Sequence, residues 1–369
     1  MCATDATAMR DVLLVSKPIA PPWTDSNKNL VRDLAGAMRR YRPRVMVPAG
    51  ASLPGVVSEA VYTAAGAYAP SLLANARVFA RLLAGPRVDL WHFFFAPNPL
   101  TLRAGAIARA ARRVPAVHTI ASAPDDLERV APLLFADAVI ALSQHSARRL
   151  SAAGVHARVI PPALAPVEVP SAAIEAARRQ HELIGPYVLY PGDLEHSDGA
   201  RTFIEAAALD DGALTWVIAA RPKTPRAREA LAELTTLAAA RHASVRFLGE
   251  ISDIHAVVAG AALTTLVVDT LHAKMDLPLV LLESLALRVP VVVSSTTAAA
   301  EIMPSGGAAS IAPGDPAALF AQVRSLFESP SQRGVMGLSG ERWVADTCHP
   351  SVVAAAHEAL YDEVLATRG

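Results

Sequence analysis

Residues 274–294 read KMDLPLVLLESLALRVPVVVS, and a fold class follows from them. Pro278 suits the first turn of a helix, where its missing N–H removes no hydrogen bond. A leucine-rich segment runs from it to Leu287, and Pro290–Ser294 then forms a β-branched run with both faces apolar. A strand of that kind belongs in a parallel sheet covered on both sides. One residue breaks the pattern, because Glu283 stands among Leu281, Leu282, Leu285 and Leu287. A carboxylate in apolar surroundings needs a partner. A ribose diol would supply two donors, and a neighbouring Arg or Lys is the structural alternative.

Working outward, the strand–helix alternation continues in both directions. In the second half the pattern predicts strands at Val188–Pro191, Thr215–Ala220, Ser244–Leu248, Leu263–Val268, Pro290–Ser294 and Ala309–Ile311. The first half yields Val12–Ser16, Arg44–Pro48, Val88–Phe93, Ala116–Ile120, Ala138–Leu142 and Arg158–Ile160. A helix is expected over Asn29–Tyr41, with Leu30, Leu34 and Met38 on one face. Pro161, Pro162, Pro166 and Pro170 separate the two series and predict an extended linker. A polar helix, Ala172–Leu183, follows. The expected architecture is α/β: two doubly wound parallel-sheet domains, 1–170 and 171–349, hinged near 161–186. Such a pair encloses a cleft at the carboxyl ends of both sheets, where α/β proteins place ligands.

Composition narrows the classes. The chain has 369 residues, 52% hydrophobic and only 18% charged, which is enough for two cores and too apolar for a disordered protein. Its 34 basic residues balance 34 acidic ones, so no overall basic footprint for nucleic acid exists. Cys2 and Cys348 lie far apart in sequence, which excludes a disulfide framework and a cysteine-based zinc module. Asp5 precedes any basic residue and the apolar run Val12–Val15 is too short for a signal core, so no leader is expected. No stretch is long and apolar enough for a membrane span. A cytoplasmic protein is expected, with peripheral membrane contact left open.

Walker A, G-x-G-x-x-G, H-E-x-x-H and G-x-S-x-G patterns are missing, as is a D-x-D pair after a strand. The chemistry-bearing residues present sit at strand-to-helix junctions. After the first strand, Asp25, Ser26 and Asn27 are all suitable N-caps, and Lys28 with free N–H groups offers an anion site; a capped helix with a solvated lysine is the plainer reading. After Val217–Ala220, Arg221 and Lys223 suit a phosphate, or else belong to a charged surface loop. At the third junction, the helix from Pro278 points unpaired N–H groups toward any phosphate.

Taken in order, these pieces resemble glycosyltransferase family 4 (group 1), with the GT-B fold. The chain has Leu279-Val280-Leu281-Leu282-Glu283, then Pro290-Val291-Val292, Ala300-Glu301-Ile302 and Pro313-Gly314-Asp315-Pro316. Phe247-Leu248-Gly249-Glu250, Tyr190-Pro191-Gly192, Val117-His118-Thr119 and Ala141-Leu142-Ser143 resemble further family elements. The resemblance implies a retaining, metal-independent transferase moving a hexosyl group from a nucleotide-diphosphate sugar, with no cofactor and an acceptor that is a glycan, a lipid-linked sugar or a small molecule. It implies that Glu283 holds the ribose and that the N–H groups near Leu279 and Val280 hold the diphosphate. His118 would contact the donor sugar; a satisfied histidine at a strand end is the alternative. It also implies that residues 350–369 cross back to the first domain, and that the acceptor is met around Trp23, the loop near Asp125 and Trp91 to Phe95, a run that reads as an acceptor wall or as core. The segment Val352–Leu365 supports a helix with Val353, Ala356, Leu360 and Val364 on one face, and Glu358, Asp362 and Arg368 largely elsewhere.

The chain departs from the family pattern at three places. Met275 stands where the first glutamate of E-x7-E belongs, and the adjacent Asp276 is the substitute. Asp193 and Asp198 replace basic residues of the loop at Gly192, so Arg221 and Lys223 are expected to restore the phosphate charge. Ser26 and Asn27 stand in the first loop where a glycine pair is usual. The candidate site is therefore His118 and Asp276 as catalytic residues, with Ser26, Asn27, Gly192, Arg221, Lys223, Leu279, Val280 and Glu283 toward the nucleotide and phosphates. No metal site is expected. The alternatives are a non-catalytic nucleotide-sugar-binding protein, or a GT-B enzyme of another family such as an inverting transferase or an epimerase.

Overall fold

A computed structural model describes residues 9–64, 71–121, 124–192, 194–222, 224–249, 251, 253–272 and 274–367. The chain divides into two compact units, one of residues 1–165 with 348–369 and the other of residues 166–347.

The first unit opens with β1 (Arg10–Val15), α1 (Ser26–Ala37), β2 (Tyr41–Pro48), β3 (Val57–Tyr62) and α2 (Leu72–Ala84). It continues with β4 (Leu90–Phe94), α3 (Pro99–Arg112), β5 (Ala116–Ile120) and α4 (Leu127–Val130). Then follow β6 (Ala138–Ala141), α5 (Gln144–Ala152) and β7 (Ala157–Val159). All seven strands are parallel, in the order β3-β2-β1-β4-β5-β6-β7. The order reverses direction between β1 and β4, and the crevice beyond their carboxyl ends is where such sheets bind ligands. β4 lies mid-sheet with both faces covered, so Trp91, His92, Phe93 and Phe94 are all buried. This corrects the acceptor-wall reading of that run. Only Phe95, past the strand end, is partly open.

The second unit contains α6 (Ser171–Gln180), β8 (Tyr187–Tyr190), α7 (Gly199–Ala207), β9 (Thr215–Ala219), α8 (Pro225–Ala240), β10 (Val245–Leu248) and α9 (Ile254–Ala259). After them come β11 (Leu263–Leu266), α10 (Leu279–Ala286), β12 (Val291–Ser294), β13 (Ala308–Ile311), α11 (Pro316–Phe327) and α12 (Pro330–Thr347). Its six parallel strands run β10-β9-β8-β11-β12-β13, with the reversal between β8 and β11. α10 packs on α12, and α9 packs on both α6 and α10.

The last helix, α13 (Pro350–Ala366), belongs to the first unit and packs against α1. Val353, Leu360 and Val364 are buried as expected, Ala356 only partly, Arg368 falls outside the described residues, and Glu358 departs from the sequence reading. Glu358 is buried, and its Oε1 accepts the backbone N–H groups of Arg39 (2.8 Å), Arg40 (2.7 Å) and Tyr41 (3.3 Å). That contact also explains why α1 stops at Ala37 and not at Tyr41. The N–H groups that would have extended the helix are taken by a carboxylate distant in sequence. The proline-rich segment is likewise docked: Leu164 N donates to the Cys348 carbonyl (2.9 Å) and Ala165 N to Asp33 Oδ2 (3.1 Å).

Candidate active site

In the first unit the loops after β1 and β4 meet at the point where strand order reverses. Asp25 is the residue that caps α1, its Oδ1 accepting from the N–H groups of Asn27 (3.0 Å) and Lys28 (3.2 Å). Burial works against ionisation of Asp25, but Lys17 at 2.9 Å and those two N–H groups outweigh it and hold its carboxyl below the usual range. Ser26, the first residue of α1, is exposed. Asn27 donates from Nδ2 to the Phe94 carbonyl (3.0 Å), which ties α1 to the end of β4, while its Oδ1 is buried without a partner. Lys28 is not the solvated lysine of the plainer reading. It is buried, and desolvation pulls its ammonium pKa down, against the opposing pull of Asp25. Arg32 lies over the half-exposed Trp23 ring, 4.8 Å from its centroid.

His118 lies on β5, fully buried, with Nε2 2.9 Å from the Phe95 carbonyl. A carbonyl can only accept, so Nε2 carries the proton and Nδ1 presents a lone pair. That Nδ1 is buried with no partner. Burial brings the ring's pKa down to about 4, so the imidazole is neutral near neutral pH. A buried acceptor of this kind costs about 1–3 kcal/mol until a donor such as a hydroxyl reaches it.

In the second unit the loop after β8 carries Gly192, which is close-packed against the buried Tyr190 ring; a Cβ there would run into it. The Asp198 N–H donates to Asp269 Oδ1 (2.9 Å), linking this loop to the one after β11. A cleft of about 290 Å³ opens at this junction, with walls that include Glu195, His196, Asp198, Arg201, Arg226 and Asp269. The buried Ser197 Oγ has no protein partner there. Arg221, two residues past β9, is half-buried. Lys223 falls outside the described residues, as do Asp193 and Glu250.

Asp276 and Met275 are both buried, just ahead of α10. Pro278 occupies the cap position of that helix and no side chain caps it, so the N–H groups of Leu279 and Val280 face outward from the helix end. Ser284 Oγ, within α10, lies 3.1 Å from Thr264 Oγ1 on β11, and Val268 N donates to Ser294 Oγ (2.8 Å) where β11 and β12 end. Glu283, one turn into α10, is buried, and its Oε1 lies 3.2 Å from Nε2 of His255 on α9. Among the described residues the carboxylate's ion-pair partner is therefore a histidine and not the Arg or Lys of the alternative reading. Sequence reasoning passed over His255 because a single polar residue in a short amphipathic helix carries no periodic signal. Among the described residues no group of three or more His, Cys, Asp or Glu side chains gathers as a metal centre would require.

Comparison with known proteins agrees with this architecture. The family model described as glycosyl transferases group 1 matches residues 185–329. A search of curated protein sequences found no match to the chain. Among solved structures, Anabaena HepE in complex with UDP-glucose is 18% identical, with a TM-score of 0.76 over 97% of this chain and 100% of that one. Sucrose-phosphate synthase from Thermosynechococcus elongatus is 18% identical, with a TM-score of 0.78 over 97% and 100%. An E. coli structure described as trehalose-6-phosphate bound with UDP-2-fluoro glucose is 12% identical, with a TM-score of 0.70 over 95% and 99%. The fold is GT-B, and the second unit carries a glycosyltransferase domain.

Proposed function

With a group 1 glycosyltransferase domain at residues 185–329 as the premise, we propose that the chain is a retaining, metal-independent family 4 transferase. It moves a hexosyl group from a nucleoside-diphosphate sugar to an acceptor in the cytoplasm. The observation that carries this reading is the uncapped amino end of α10, preceded by buried Asp276 and followed one turn later by Glu283. Helix N-termini of this kind receive phosphate oxygens. Glu283, oriented by His255, accepts from the ribose hydroxyls. Asp276 accepts from the sugar hydroxyls in place of the carboxylate that Met275 lacks. The UDP-sugar complexes of HepE and of the E. coli protein support a nucleoside-diphosphate sugar as donor in this fold.

The step itself breaks the bond between the anomeric carbon and the diphosphate oxygen and forms one to an acceptor hydroxyl, whose proton passes to the departing diphosphate. Negative charge grows on the departing diphosphate, where Arg221 and the N–H groups of Leu279 and Val280 meet it without reorganising. Lys223 is assigned the same role as Arg221. Asn27 and His118 each hold an unpartnered buried acceptor atom suited to a substrate hydroxyl.

The test is thermal unfolding of the full chain with UDP, GDP and ADP, followed by assay of donor hydrolysis and transfer. A diphosphate at about 100 times its Kd adds about 2.7 kcal/mol to the unit that binds it. If none of the three shifts either transition, the donor reading fails. Met275 favours one rival, a protein that binds nucleotide sugars without transferring them; stabilisation with no turnover of any donor would select it.

A further inference from the structure

We propose that the acceptor is a polyhydroxylated anion, a sugar phosphate or a sugar acid, and that Lys28 selects it by its charge. The proposal rests on the donor reading of the second unit and adds what the first unit takes.

Lys28 is the third residue of α1 and is only 6% exposed. Its ammonium makes no hydrogen bond or ion pair with any described residue. Other shielded cations of this unit are matched: Arg44 and Arg81 share Glu59, and Arg109 meets Asp137. Asp25 attracts Lys28 without pairing with it, because its oxygens are already committed. Oδ2 takes Lys17 at 2.9 Å, and Oδ1 takes the N–H groups of Asn27 and Lys28. A buried cation left in this way is costly, since methionine would fill the same space without desolvating an ion. An anion reaching the ammonium removes the cost. The way is open, for Lys28 Nζ is not among the partnerless atoms sealed from solvent.

Neighbouring groups define the rest of the ligand. Asn27, next to Lys28 in sequence, spends its Nδ2 on the Phe94 carbonyl and leaves Oδ1 without a partner. His118 spends its Nε2 on the following carbonyl, that of Phe95, and leaves Nδ1 without one. The two consecutive carbonyls bring both acceptor atoms to the carboxyl end of β4, beside the reversal of strand order. An amide oxygen and an unprotonated ring nitrogen call for hydroxyl donors, whereas an ammonium calls for an anion. A neutral sugar would leave Lys28 unpaired, and a simple inorganic anion would leave Asn27 and His118 unpaired. A sugar bearing a phosphate or carboxylate satisfies all three. The diphosphate of the donor is met on the second unit, by the amino end of α10 and Arg221, so the charge at Lys28 answers to the other substrate.

The experiment is titration calorimetry of the full chain, with and without saturating UDP. The probes are glucose 6-phosphate, fructose 6-phosphate and glucuronate, beside glucose, fructose and inorganic phosphate. At least one sugar anion should bind about tenfold or more tightly than both its neutral parent and inorganic phosphate. Comparison of glucuronate with the two sugar phosphates tells which anion is preferred. Lys28→Met should erase that preference while leaving UDP affinity unchanged. The variant should unfold no earlier than the parent, since it removes an unpaired buried charge, so lost binding is not lost folding. Equal affinity for the sugar anions and their neutral parents, or no binding of either, overturns the proposal. Loss of UDP affinity in Lys28→Met also overturns it, by assigning the lysine to the donor. Failure of the donor reading shows separately, as absence of UDP binding while the preference for a sugar anion persists.

Discussion

Replacing Glu358 by alanine should destabilise the first unit more than any other single change to an ion-paired side chain. The carboxylate is 3% exposed and its Oε1 receives three backbone N–H groups, those of Arg39, Arg40 and Tyr41. Its Oε2 lies 3.5 Å from the Arg40 guanidinium, which is half-exposed and can turn to water. The three N–H groups cannot turn, because α1 on one side and β2 on the other fix the backbone between them. An orphaned buried donor costs about 1–3 kcal/mol. Water entering the space left by the side chain favours the low end, and alanine's helix propensity returns a few tenths. The net loss is about 3 kcal/mol, or roughly 6–12 °C for a unit of this size. Glu358→Gln keeps an acceptor oxygen while losing its charge, and should cost about 1 kcal/mol. Calorimetric unfolding of the two variants, together with limited proteolysis after α12, reads both the stability and the release of α13. An alanine variant that unfolds within 1 °C of the parent (about a tenth of the expected shift) would refute the reasoning.

Glu283→Gln should weaken nucleoside-diphosphate binding about tenfold, since a charged acceptor is worth more than a neutral one; Asp276→Asn should leave diphosphate affinity unchanged and alter sugar selection. Titration calorimetry with the diphosphate and with the intact donor separates the two. Gly192→Ala should cost about 1–3 kcal/mol in the second unit, because the Tyr190 ring it would strike is buried and cannot yield; an unchanged unfolding midpoint would contradict that packing. Transfer activity should persist in EDTA, and loss that manganese restores would end the metal-free mechanism. The first unit should lose stability as pH falls from about 6.5 to 4. His118 and His357 are each held near 4 by burial, and His92 is held low by burial with His357 and His118 nearby. The unfolded chain therefore takes up protons first; the part due to His118 and His357 is whole above 6.5 and gone below about 4, and His92 adds to the loss in the same direction. An unfolding midpoint flat across that window would show the three rings to be solvated.

The sequence by itself determined the parts governed by local periodicity. Two-faced apolar runs such as Val291–Ser294 and Ala116–Ile120 read as central parallel strands, and twelve strand-like runs with helices between them, the edge strands β7, β10 and β13 included, point to two doubly wound sheets. The fourth edge strand lacks such a signal. β3, whose Ser58 and Glu59 are partly exposed, has no alternating or two-faced apolar pattern, and Glu59 pairs with Arg44 of β2 and Arg81 of α2. The isolated charge of Glu283 was legible because burial among leucines demands a partner. Which partner was not, since His255 arrives from a different helix with no sequence relation to it.

Tertiary structure alone decided the ends of elements and the fate of buried polar groups. α1 ends where it does because Glu358, from the far end of the chain, captures the N–H groups of Arg39, Arg40 and Tyr41, just past the capping Met38. His92 reads in sequence as one member of an aromatic run. In the fold its two ring nitrogens meet Tyr361 (2.6 Å) and Thr119 (2.7 Å), joining α13 to the central sheet. The physical reason is common to both cases. Hydrophobic pattern follows from the geometry of a single element, whereas a hydrogen bond in the interior depends on which other element arrives opposite, and that is fixed only when the whole unit has packed.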